Sequence, residues 1–160
     1  MPDRIPPRLQ GDIGELSALD WLIRRGAKVY LPYGHSPDVD LLADLGDQLA
    51  RVQVKTSTVC LKGRWNVQLS TRGGNQSWSG LVKYFNADRC DFLFAHVGDG
   101  RRWFIPARAV DAGSGIRLGG PKYADYEIDP DRPLAAIAEA RLGTLADPWR
   151  GSRAVKGDAL

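Results

Sequence analysis

The chain has 160 residues, 43% of them hydrophobic, with a net charge of +3, a mean hydropathy of −0.31 and a pI near 9.0. That length supports one domain with a real core, and no stretch approaches the ~20 apolar residues of a membrane span. Met1 to Pro7 lacks the apolar centre of a signal peptide, and Cys60 and Cys90 have no metal-ligand or redox spacing, which fits reduced, buried thiols in a cytoplasmic protein.

In chain order, Gly11 to Arg25 reads as a helix, with Ile13, Leu16, Leu19, Leu22 and Ile23 at helical spacing. Glu15 falls at the margin of that stripe, where a carboxylate is costly unless paired or metal-bound. Asp12 to Glu15 also fits a capping box, with Asp12 as the N-cap and Glu15 at its third position. Ala27 to Pro32 reads as a short strand.

Next comes Pro37-Asp38-Val39-Asp40-Leu41-Leu42 and, after a turn, Val52-Gln53-Val54-Lys55, which together read as a β-hairpin. Side chains two apart share a face, so Gln53 and Lys55 point together, and the hairpin can set Asp40 opposite them. A carboxylate, an amide oxygen and an ammonium converging beside a strand can hold a divalent metal and a phosphate, the requirement of metal-assisted phosphodiester cleavage.

From Gln48 to Ala87 the chain carries no Asp or Glu, while Arg51, Lys55, Lys62, Arg64, Arg72 and Lys83 contribute six positive charges. Such a field attracts phosphates, with a solvated basic face as the alternative reading. Trp65, Val67 and Leu69 alternate with Asn66, Gln68 and Ser70 in a further strand, and Gln68 reaches the site if its face borders the cleft. Thr71 to Gly80 reads as a polar loop in which Trp78 either stacks on nucleic acid or tucks into the core.

Asp91 to Val97 is an apolar strand, and Gly98-Asp99-Gly100 turns it into Arg102 to Pro106. Pro106 to Val110 opens a short helix, Gly113 to Lys122 is glycine-rich without phosphate-loop spacing, and Tyr123 to Ile128 reads as an edge strand. Pro133 to Leu142 reads as a helix. His35 and His96 match no His-based catalytic or zinc pattern. Residues 1–146 then form one domain, and 147–160 a basic tail with Arg150, Arg153 and Lys156.

Gly11-Asp12-Ile13-Gly14-Glu15, then Asp40 before an apolar strand, then Gln53-Val54-Lys55, resembles the PD-(D/E)XK nuclease superfamily. The likeness is nearest to the branch of group I intron-type homing endonucleases and archaeal Holliday junction resolvases. It implies an α/β, restriction-endonuclease-like core, a central mixed β-sheet flanked by helices. It also implies a metal-dependent DNA endonuclease, working as a homodimer or higher homo-oligomer.

In that pattern Glu15, Asp40, Gln53 and Lys55 are the catalytic positions. Glu15, Asp40 and Gln53, with the Val54 carbonyl, hold Mg²⁺, for which Mn²⁺ substitutes. Lys55 orients the nucleophilic water and stabilises charge on the phosphate, while Ser57, Lys62, Arg64, Arg72 and Lys83 follow the DNA backbone. Most members carry Glu or Asp where this chain has Gln53; an amide oxygen still coordinates a hard cation but brings no charge. Three alternatives remain open at this point: a Holliday junction resolvase, a catalytically inactive DNA-binding module of the same fold, and an unrelated α/β protein in which the hairpin and the helix glutamate coincide by chance.

Overall fold

The computed structural model describes residues 4–36, 38–72 and 81–131. Its one long helix among these, α1, spans Pro7–Arg24. It starts at Pro7, not at Gly11, because proline is well suited to a first helical turn and because Ile5, Leu9 and Ile13 pack into a small apolar cluster there. Asp12 and Glu15 therefore lie inside the helix, Pro6 is the N-cap, and no side chain caps the start. The capping-box reading of Glu15 fails.

The buried face of α1 is Ile13, Gly14, Ser17, Ala18 and Leu22, rotated from the expected stripe. Leu16 is 64% exposed and Ile23 52%. The small residues explain the rotation. A Cβ on Gly14 would stand 2.1 Å from Thr56 Cγ2 and 3.4 Å from Val54 Cγ1, so the helix backbone lies directly on the strand that follows.

The strands are β1 (Lys28–Tyr30), β2 (Leu41–Asp44), β3 (Leu49–Ser57), β4 (Cys60–Leu61), β5 (Arg64–Gln68), β6 (Thr71–Arg72), β7 (Val82–Lys83), β8 (Phe92–Val97), β9 (Arg102–Pro106), β10 (Gly115–Leu118) and β11 (Glu127–Ile128). Six of them form a mixed central sheet in the order β1-β2-β3-β8-β9-β11. β3 and β8 run parallel, and every other neighbouring pair in that sheet is antiparallel. The mixed α/β core expected from the sequence is present.

α1 covers one face, burying Val52, Val54 and Phe94 with Ala18 and Leu22. The opposite face is covered not by a helix but by a three-stranded sheet, β10-β5-β4, whose Val67, Ile116 and Leu118 pack on Leu93, Ala95 and Val97. The parallel β3–β8 connection carries β4 and β5 of this small sheet, and β10, which follows β9 in the chain, completes it. Short 3₁₀ turns occupy Ala107–Ala109 and Pro121–Tyr126, where a short helix and most of an edge strand were expected.

Cys90 is buried, as expected, but Cys60 is exposed on its two-residue strand. Asp91 and Asp99 take the structural places read from sequence: Asp91 accepts the Arg51 guanidinium and main-chain N–H, and Asp99 accepts the Arg101 N–H in the turn. The loop with Trp78, the helix at Pro133 to Leu142, the tail from residue 147 and the boundary at 146 lie outside the described residues.

Candidate functional site

The β2–β3 hairpin builds the site. Leu41 pairs with Val52 and Leu42 with Arg51, which carries Asp40, just ahead of β2, to the level of Gln53. Asp40 N–H donates to the Val52 carbonyl at 2.9 Å, and Asp40 Oδ2 accepts the Val54 N–H at 2.7 Å. The carboxylate thus takes the place of a ladder carbonyl just before β2 begins. It is held against the residue between Gln53 and Lys55.

On β3, Val52 and Val54 turn toward α1, so Gln53 and Lys55 share the other face by strand alternation. Gln53 is buried and Lys55 half-buried. Burial pushes the Lys55 ammonium below the ordinary lysine range, while Asp40 and Asp38 pull it back toward the charged form. Burial raises the Asp40 carboxyl, with the Val54 N–H and Lys55 opposing and Asp38 adding to the rise.

Glu15 reaches this cluster from α1. Burial raises its carboxyl above the usual range, and the charges of Asp40 and then Asp12 raise it further. Asp40 is thus the common element: its charge is felt at Glu15 on α1 and at Lys55 on β3. Among the described residues no three His, Cys, Asp or Glu side chains gather closely enough to hold a metal ion by themselves. Two carboxylates that burial leaves short of compensation, next to a buried amide, are an oxygen-donor set suited to a hard divalent cation.

Of the residues expected along the DNA backbone, Lys83 acts on the cluster, its charge being felt at Lys55. Ser57 is buried, donates its hydroxyl to the Asn66 carbonyl and accepts the Val59 N–H at 3.1 Å, so its hydroxyl pins β3 to β5. Lys62 and Gly63 both have positive φ at the tip of the β4–β5 hairpin, a two-residue turn that presents the lysine to solvent. Arg64 donates to the Gly119 carbonyl at 3.1 Å, and Arg72 is exposed on β6. Lys83 is ion-paired with Asp38 at 2.8 Å, and Arg51 with Asp91 at 3.0 Å.

Sequence reasoning missed Asp38 as a centre. Its Oδ2 accepts both Lys83 and, at 3.3 Å, Arg89. The signal available was its place two residues before Asp40, which puts it beside the same strand end.

A family model for PD-(D/E)XK endonucleases matches residues 5–118. Among solved structures, the bacterial homing endonuclease I-Ssp6803I superposes with a TM-score of 0.66 at 24% identity, covering 77% of this chain and 89% of that one. Hjc, a Holliday junction resolvase from the archaeal hyperthermophile Archaeoglobus fulgidus, gives a TM-score of 0.48 at 14% identity, covering 81% of this chain and 95% of that one. No curated protein matches. The family model spans the helix with Glu15, the β2–β3 hairpin and the small sheet, and the chain belongs to the PD-(D/E)XK endonuclease family.

Proposed function

We propose that this protein is a metal-dependent endodeoxyribonuclease that hydrolyses phosphodiester bonds, with Glu15, Asp40, Gln53 and Lys55 as its catalytic set. The observation that carries this reading is the convergence of Asp40, Gln53 and Lys55 on one strand end, with Asp40 fixed to β3 by the Val54 N–H. The Asp40 charge also raises the Glu15 carboxyl on α1, which supports including Glu15 in the set.

In this reading Asp40, Glu15 and the Gln53 amide oxygen hold Mg²⁺, or Mn²⁺ in its place. The bound cation supplies Lewis-acid polarisation of the phosphate and a more acidic water. Asp40 and Glu15 bring the negative charge that favours the cation, and their raised proton affinity makes its binding compete with protons. Lys55 stays close to the carboxylates that keep it charged, and from there it orients the attacking water and offsets charge building on the phosphate oxygens. Its burial excludes competing solvent and strengthens that effect.

Among the described residues no helix is long and apolar enough to cross a membrane. We place the enzyme in the cytoplasm, where free thiols such as Cys60 and Cys90 stay reduced. Self-association into a homodimer or higher oligomer is supported by Leu16 and Ile23, two exposed apolar residues seven apart on one face of α1.

The test is plasmid nicking with Mg²⁺ and Mn²⁺, comparing the native chain with Lys55→Ala and including a labelled four-way junction. Metal-dependent cleavage that the variant loses supports the nuclease, and preference for the junction would make it a resolvase. The second reading, an inactive DNA-binding module, rests on Gln53, which leaves two carboxylates where a third is usual in the family. Salt-sensitive binding without nicking in either metal would favour it.

A further inference from the structure

A cavity of about 640 Å³ opens one residue beyond Lys55. Its floor is the end of β3 and the following Thr58. Asn66 and Gln68 of β5 with Arg117 of β10 line it from one sheet, and Arg4, ahead of α1, and Gln10, in the first turn of α1, line it from the helix side. The pairing of Arg117 with Asn66 and of Gly115 with Gln68 puts Arg117 on the same face as these amides, while Val67, Ile116 and Leu118 point away into the core.

Three properties define what the cavity accepts. No Asp or Glu lines it. Neither Arg4 nor Arg117 has an ion-pair partner among the described residues, whereas Arg51, Arg89, Arg101, Arg102, Arg108, Lys83 and Lys122 are all committed to carboxylates. No aromatic residue lines it either, which removes the platform a flipped or stacked base requires. Two guanidiniums with no carboxylate partner among the described residues, lining one cleft with amides and hydroxyls, form a receptor for phosphodiester oxygens, with the amides left to meet sugar hydroxyls or base edges.

We propose that this cleft binds the backbone of the substrate strand next to the cut, with Arg4 and Arg117 gripping phosphates that flank the scissile one. This assignment rests on the nuclease reading for its substrate, but its charge and shape are independent of the metal. Arg4 and Arg117 are positioning residues, placing the strand on the site without touching the reacting atoms.

The experiment measures binding of a short fluorescein-labelled duplex in EDTA across a KCl series, for the native chain, Arg4→Ala, Arg117→Ala, the double variant and Arg117→Lys. Each alanine should lower the slope of log affinity against log salt by about 0.9, and the double by about twice that. Arg117→Lys should restore the slope, because it keeps the charge. In Mg²⁺, nicking by the double variant should show a raised KM with kcat retained.

An unchanged slope in the double variant overturns the proposal, as does a loss confined to kcat. Both side chains are exposed and have no ion-pair partner among the described residues, so the variants should fold, and a thermal melt verifies it. Absence of nicking by the native chain would remove the nuclease reading alone. The slopes in EDTA would still decide whether the cleft grips phosphates.

Discussion

Asp40 Oδ2 accepts the Val54 N–H at 2.7 Å, so the carboxylate just ahead of β2 is also the hydrogen-bond acceptor that holds it to the neighbouring β3. Asp40→Asn retains an acceptor oxygen and should fold, yet lose the stabilisation that Mg²⁺ or Mn²⁺ gives the native chain in a thermal melt. Asp40→Ala strands a half-buried N–H and should cost about 1–3 kcal/mol in denaturant unfolding even without metal. Equal stability of the two variants in EDTA would show that the hydrogen bond matters little.

The pH dependence of the metal-free protein follows from Glu15 and Asp40, both raised chiefly by burial. A group that binds its proton more tightly when folded stabilises the fold below its unfolded pKa, about 4 for carboxyls. That contribution is lost as pH rises through the folded value. In EDTA, the double variant Glu15→Gln, Asp40→Asn should therefore lose less stability than the native chain as pH climbs from about 4 toward neutrality. A divalent cation should stabilise the native chain more at neutral than at acid pH. Parallel stability curves for the two proteins would contradict the raised values.

Gly14 is a helix-interior glycine because Thr56, the residue after Lys55, occupies the space of its missing side chain. Gly14→Ala gains up to about 1 kcal/mol of helix propensity but forces a β-branched neighbour aside, an overpacking cost of about 1–3 kcal/mol. The variant should be less stable, with kcat reduced through displacement of β3. Thr56→Ser removes the obstructing methyl, and in the double variant it should recover both properties. A double-mutant cycle measures the coupling, and simple additivity would refute the contact.

How much of this was legible in the sequence depended on whether a signal was local. Strand alternation in Val52-Gln53-Val54-Lys55 fixed which side chains share a face, and the hairpin register needed only its short turn. The helix start was missed because Asp12-Ile13-Gly14-Glu15 imitates a capping box, while the actual start relies on Pro7 and a small apolar cluster. The rotation of α1 was missed because its leucines look like a core stripe. The helix instead approaches through Gly14 and Ala18, which periodicity of large apolar residues does not weigh. Lys83 and Arg51 looked like free charges, since their partners Asp38 and Asp91 are distant in sequence. The cleft combines three separated segments, and no local pattern announces it.

Asp38 is the point where those distant charges act on the site. Burial alone would raise its carboxyl, but hydrogen bonds and charge from Lys83 and then Arg89 outweigh that and hold it below the usual range. Its negative charge in turn helps keep Lys55 protonated, whereas Lys83 works against it. Asp38→Asn removes the helpful charge and leaves Lys83 unneutralised, so both changes push Lys55 toward its neutral form. Under the proposed mechanism the activity needs charged Lys55, so the alkaline limb of kcat/KM, which reports the free enzyme, should move to lower pH. Lys83→Met in the same background should move it back, because it takes away the repulsion. A pH profile of nicking from about pH 7 to 10 reads both shifts. An alkaline limb that stays in place in Asp38→Asn would separate Lys55 from the chemistry or Asp38 from Lys55, and the Lys55→Ala assay tells which.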